Sequence, residues 1–286
     1  MDREDFDRIV WLDQAAESSL LATAVLRPAG GRPGDRLLRY QWPVPSRGRV
    51  EEAVRKGPND GIVTYDVELG EPDGGGVRRL TLSNLEFVIN GVAQRPPPEV
   101  ADAVPDVLVA ADGSFEALEG LDRVQRALRA VDGEEADPQL LEALERTTAR
   151  FWDAWCGTWI HLDPREMDGI ARPARFVMPG HVAVPTLATM SCERGDRWHL
   201  RAEASLEGEA ADEALPDALA RIAGSDTDIP RGFRYATRLI LEAWTDPETL
   251  RPDRVRVEQT AEVADLERDH AGEAIEQHDY RFTWHD

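Results

Sequence analysis

Ile62-Val63-Thr64-Tyr65-Asp66-Val67-Glu68-Leu69 alternates without a break. Val63, Tyr65, Val67 and Leu69 fall on one side; Thr64, Asp66 and Glu68 fall on the other, behind Ile62. Side chains of a pleated strand point to opposite faces in turn, so this two-residue period predicts a strand with one dry and one wet face. Half-wet strands of this kind belong to antiparallel sheets.

The same pattern extends in both directions. Pro72-Asp73-Gly74-Gly75-Gly76 breaks it as a turn. The strand beyond starts with Leu80 and Leu82 in phase and then switches to Leu85, Phe87 and Ile89. One extra residue reverses the facing of everything after it, so a bulge is expected near Ser83-Asn84. Asn90-Gly91 suits a tight turn, Pro96-Pro97-Pro98 reads as a spacer, and Asp112-Gly113 joins Val107–Val109 to Phe115–Leu118 as a hairpin. Further along, Trp198, Leu200, Ala202, Ala204 and Leu206 alternate against His199, Arg201, Glu203 and Ser205. Phe233, Tyr235, Leu239 and Leu241 share a face. The turn from Asp246 to Pro252 leads into Val255 and Val257, set against Arg254, Arg256 and Glu258. In the closing strand, read from His278 to Asp286, Tyr280, Phe282 and Trp284 form one aromatic face.

Helical spacing interrupts the strands. Leu121, Val124, Leu128 and Val131 recur every three or four residues, with Gly133 placed as a C-cap. A second helix over about 138–157, with Pro138 in its first turn, carries Leu140, Leu144, Phe151 and Trp155 in one stripe beside Leu141, Thr148 and Trp152. That stripe is wide enough to dock on the sheet. A short helix is expected at Pro216–Ala223, with Leu219 and Ile222 facing in.

Composition narrows the function. The 286 residues carry 33 basic and 55 acidic side chains, a net charge of −22, and Lys56 is the only lysine. Such a balance excludes nucleic-acid binding through a general basic surface. The longest early apolar run, Leu20–Leu26, is far short of the roughly 20 residues of a membrane span. The opening residues include Asp2, Glu4, Asp5 and Asp7 and lack the basic-then-apolar order of a secretory signal. The compartment expected for the chain as given is therefore cytoplasmic, or periplasmic or cell-surface if a leader was removed. Cys156 and Cys192 fit no CxxC or zinc spacing and read as two buried thiols.

The densest chemistry lies in Phe151–Asp163, where Trp152, Trp155 and Trp159 can frame a ligand mouth and His161 and Asp163 can serve proton transfer. A metal needs three or four ligands, and no second pair lies nearby, so no metal or cofactor is expected. His270, His278 and His285, with Glu273, Glu276 and Asp279, read as a solvated strand face. Arg78, Arg79, Arg251, Arg254, Arg256 and Arg281 read as members of cross-strand ion pairs, with an anion groove as the alternative. The frames of a nucleophile elbow, a P-loop and a dinucleotide site are all missing.

The layout resembles the bacterial β-clam of the lipoprotein-carrier type and uncharacterised lipoproteins of that style. The residues behind the likeness are Arg39-Tyr40-Gln41-Trp42 opening a strand, the Asp112-Gly113 hairpin, the Trp152–Trp159 helix end and the turn from Asp246 to Pro252. The resemblance implies a half-barrel whose apolar face holds acyl chains or packs on helices. It covers roughly residues 37–286 and carries over no binding residue. The expected fold is α+β: one large curved antiparallel sheet, covered on its apolar face by two or three helices. It forms a single domain over 1–286 with 1–36 as an N-terminal extension. The expected function is a non-enzymatic structural or interaction protein with a protein partner. The alternative is binding of an apolar small molecule, a lipid or acyl chain, and the outsider is a metal-dependent hydrolase at His161 and Asp163.

Overall fold

The computed structural model describes residues 26–28, 37–57, 59–94, 98–101, 103–132, 138–178, 182–223, 233–265 and 270–285. In chain order the strands are β1 (Leu26–Pro28), β2 (Ser46–Lys56), β3 (Asn59–Leu69), β4 (Arg78–Ile89), β5 (Val92–Gln94), β6 (Asp106–Val109) and β7 (Phe115–Glu119). They continue with β8 (Asp168–Met178), β9 (Val182–Glu193), β10 (Trp198–Leu206), β11 (Phe233–Thr245), β12 (Pro252–Asp265) and β13 (His270–His285). The helices are α1 (Pro98–Ala101), α2 (Leu121–Asp132), α3 (Pro138–Trp155) and α4 (Glu209–Ala223).

The thirteen strands of the described residues join one sheet in the order β1-β8-β9-β10-β11-β12-β13-β2-β3-β4-β6-β7, with β5 alongside β4. Its two ends do not meet, so the expected α+β antiparallel sheet is an open one rather than a barrel. β2–β7 and β8–β12 are two up-and-down runs, and β13 lies between them, pairing Tyr280 with Val255 of β12 on one side and Glu52 of β2 on the other. One face carries the core: Val50, Val67, Leu69, Leu80, Val109, Leu200, Leu241 and Val255 all lie buried on it. α3 crosses this inner face, touching β7, β11 and β12, while α4 packs on β9 and β11. Of the helix stripe read from the sequence, Thr148, Trp152 and Trp155 are buried and Leu144 and Phe151 pack against the core, where amphipathic spacing places them.

The bulge is present. Pairing of β3 with β4 steps from Thr64–Glu86 to Asp66–Ser83, and Asn84 takes the left-handed conformation at φ 54°, its amide donating to Asp66 Oδ2 at 2.7 Å. Asn is among the few side chains that tolerate that conformation. The turns at Asn90-Gly91 and Asp112-Gly113 also form as read.

Several expectations are corrected. Arg39–Trp42 does not open a strand; it runs extended through Leu38 N→Leu162 O, His161 N→Leu38 O and Gln41 N→Thr249 O bonds, and β2 starts only at Ser46. α4 begins at Glu209, because the Gly208 carbonyl already accepts from the amides of Ala211 and Asp212; Pro216 therefore sits inside it. The side chains of Leu219 and Ile222 lie outside the described residues, as do Gly133, Pro96 and Pro97, whereas Pro98 starts α1. α3 ends at Trp155, followed by a single 3-10 turn, Gly157–Trp159. The closing strand starts at His270, and its inner face holds Glu276 and His278 as well as Tyr280; the solvated reading of those two residues is overturned. Of the N-terminal extension only Leu26–Pro28 is described, pairing with β8.

Candidate functional site

The end of α3 lays an aromatic layer on the inner face. Trp152, Trp155 and Trp159, the residues expected to frame a ligand mouth, are each 0% exposed. Trp152 lies 5.4 Å from Trp42 and 5.9 Å from Tyr40 between ring centroids, and Trp155 meets Phe282 edge-on at 5.0 Å. The extended segment carrying Leu38, Tyr40 and Trp42 is what inserts those two rings, since alternate side chains of an extended chain point the same way. Trp152 Nε1 donates to the Gly113 carbonyl at 2.8 Å. The indole nitrogens of Trp42, Trp155 and Trp159 and the Tyr40 hydroxyl are buried without a hydrogen-bond partner among the described residues. A buried polar group left unpaired costs about 1–3 kcal/mol. Burial pushes the Tyr40 hydroxyl far above its ordinary pKa, and nearby Cys156 adds to this. Chemically the layer offers apolar walls and hydrogen-bond donors.

Beside it, between α3 and the strands, lies an ionic cluster that the sequence reading missed. His278 Nδ1 is 2.7 Å from Glu52 Oε1 and Nε2 is 2.7 Å from Glu276 Oε1. Arg150 of α3 stands 3.6 Å from Glu276 Oε1 and donates to Gln259 at 3.5 Å. The side chains of Arg150, Glu276 and His278 are only 12%, 7% and 16% exposed. Burial alone would lower the His278 pKa, but its bonds to Glu276 and Glu52 outweigh this and raise it to about 9. Burial would likewise raise that of Glu276, yet Arg150 and His278 hold it well below the usual carboxylate range. With both ring nitrogens donating to carboxylates, His278 has no free lone pair with which to take a proton. The cluster ties α3 to the sheet at the β13–β2 junction. Polar residues at alternate positions, Glu52 with Lys56 and Glu276 with His278, are what made these stretches look wet.

His161 and Asp163 are not brought to one partner. His161, at φ 65°, has Nε2 at 3.8 Å from Asp112 Oδ2, while Asp163 is gripped by Arg165 through its backbone amide and guanidinium. Among the described residues no group of three or more His, Cys, Asp or Glu side chains is placed to hold a metal ion. Cys156 is buried and Cys192 half-buried, and the two are not bonded to each other. None of the described helices is long and apolar enough to cross a membrane.

The outer face carries the ion pairs. Arg254 forks onto Asp279 at 2.9 and 2.6 Å across the strands, Arg281 approaches Glu51 at 3.9 Å, Arg79 pairs with Glu119, and Arg256 pairs along its own strand with Glu258. A groove of about 580 Å³ opens over Ala53, Ile62 and Val88, but the arginines at its rim, Arg55, Arg254 and Arg256, each face a carboxylate. Two of the six expected pairing arginines also lie over rings: Arg251 over Trp284 and Arg78 over Tyr40.

No protein-family model matches the chain, and no curated protein matches it in sequence. Among solved structures it is similar to lipovitellin, in a structure of lipid–protein interactions, at TM-score 0.44 and 8% identity over 83% of this chain. It spans 25% of that chain's length.

Proposed function

We propose that the protein acts by binding rather than by catalysis, and that it holds an apolar ligand in the aromatic layer between α3 and the sheet. The observation that carries this is the set of buried donors without acceptors on Tyr40, Trp42, Trp155 and Trp159, inside walls that are otherwise aromatic. Ligand sites are mostly apolar with a few convergent polar groups, and this layer has that composition. The nearby histidine supports a non-catalytic role, since His278 is locked as an imidazolium between two carboxylates. Native mass spectrometry of the full-length protein tests the reading. The expected spectrum carries a non-covalent apolar adduct, or gains one when a twelve-carbon amphiphile is added. A bare mass in both cases overturns the proposal.

A second reading has its own support. Trp152, Trp155 and Trp159 are fully buried, as expected of an interaction protein whose sheet is filled by its own helices. That reading predicts an unliganded chain with a concentration-dependent mass in light scattering.

A further inference from the structure

Lys56 is the only lysine among 33 basic side chains, and it lies on the inward row of β2 rather than among the outer-face ion pairs. It closes the strand two residues beyond the buried Val54 and is itself half-buried. In register it is opposite Glu276 of β13 and Asn59 of β3. The charges of Glu276 and of Arg150 on α3 both act on it, and Arg150 lies 3.6 Å from that same carboxylate. His278 and Glu52 complete the group, with His278 donating to both Glu52 and Glu276. An arginine here would supply charge and nothing else, since a guanidinium stays protonated. A lysine amine gives up its proton more readily and is then a nucleophile. Two circumstances activate such an amine: removal from water and a second cation close by. Lys56 has both. Burial lowers its pKa, and the charge of Arg150 lowers it further against the opposing pull of Glu276.

We infer that Lys56 is a covalent capture site for small aldehydes, which it holds reversibly as an imine. The unprotonated Nζ adds to the carbonyl carbon, and one nitrogen proton passes through solvent to the oxygen. The carbinolamine so formed expels water as the C=N bond closes. No electrons change hands, so the step needs neither oxidant nor reductant. Once protonated, the imine carries the same single positive charge as the ammonium it replaces. Glu276 and Arg150 therefore meet an unchanged charge, and the cluster that ties α3 to the sheet is kept. The half-buried position leaves the amine open to a small carbonyl compound while screening the imine from water. This inference stands apart from the apolar-ligand reading above and does not require it.

The test is reductive alkylation of the full-length protein with butanal and cyanoborohydride, the reductant serving only to trap the imine. It is run on the folded chain and on the chain unfolded in guanidinium chloride, and peptide mass mapping reads the modification at position 56. The same amine is thus its own control. At about pH 7 Lys56 should react at least about threefold faster when folded, since each unit by which an amine's pKa falls raises its unprotonated fraction about tenfold. Its rate should also reach half-maximum at a lower pH in the folded chain than in the unfolded one. Arg150→Gln should move the folded midpoint up; if that variant fails to fold, the wild-type comparison stands without it. An equal or slower rate in the folded chain, a shared pH midpoint, or a midpoint indifferent to Arg150→Gln in a folded variant would overturn the inference.

Discussion

Trp152 and Gly113 are joined by a 2.8 Å hydrogen bond from the indole nitrogen to the backbone carbonyl, which fastens α3 to the tip of the β6–β7 hairpin. Gly113 has φ 91°, and a β-carbon on it would lie 2.3 Å from the Tyr40 side chain and 2.8 Å from that of Ile160. Gly113→Ala is therefore expected to destabilise the protein by about 3 kcal/mol or more, from left-handed strain plus overpacking. Urea unfolding followed by tryptophan emission measures it; a loss under 1 kcal/mol (roughly the floor for overpacking) would mean the hairpin tip gives way freely.

Glu276→Gln should be far more damaging than its polarity suggests. It leaves the buried charges of Arg150 and His278 facing a neutral amide, a change that typically costs about 3–5 kcal/mol. The contrasting variant is Arg281→Ala on the outer face, where both partners are more than half exposed and the expected change is within about 0.5 kcal/mol. Similar losses for the two would refute the buried-cluster account.

Stability should fall at alkaline pH because of His278. Its pKa is raised from 6.5 to about 9 by folding, so its contribution is complete below the unfolded value and disappears as pH climbs through about 9. The size is about 3 kcal/mol at one unit per 1.4 kcal/mol. Glu52, Glu276, Arg150, Lys56 and Tyr280 all face this histidine or its partners. Burial lowers the pKa of Lys56, which acts in the opposite direction, so the informative quantity is wild type minus His278→Gln. Urea midpoints at pH 6 and pH 10 (about three units below and one above the folded value) should show that difference shrinking toward zero.

Gly48 makes room for the closing strand's last aromatic side chain. A β-carbon there would approach Trp284 Cε3 to 2.8 Å and the Thr283 carbonyl to 2.9 Å. Gly48→Ala should push the indole off its 2.7 Å bond to the Pro252 carbonyl, destabilising by about 1–3 kcal/mol. Near-ultraviolet circular dichroism should lose intensity with it; an unchanged spectrum and midpoint would contradict this.

Where side chains obeyed the two-residue period, the sequence was readable. β3, β10 and β13's aromatic half follow it, and so does the reversal at Asn84, because burial sorts side chains by polarity. β2 was invisible for the opposite reason. Its inward row is Ser46, Gly48, Val50, Glu52, Val54 and Lys56, half of it polar, since Glu52 and Lys56 belong to the ionic cluster. Glu276 and His278 disguised the first half of β13 in the same way. A buried charge is stabilised by partners far along the chain, here 226 residues from His278 to Glu52, and a local pattern carries no trace of them. The tryptophans of α3 were found by helical spacing, but which indole nitrogens lack a partner among the described residues, those of Trp42, Trp155 and Trp159 and not that of Trp152, becomes evident only when the neighbours are in place.

The position of β13 has a consequence for how the chain is made. The strands β2–β7 precede β13 by about 150 residues and β8–β12 end just before it, yet each series leaves a long strand, β2 or β12, with one side unmet until β13 arrives. During synthesis both edges stand exposed, and such edges invite pairing with other chains. A ribosome-bound chain halted before residue 270 should therefore aggregate or recruit chaperones, and release of the last sixteen-residue strand should be the event that ends its vulnerability.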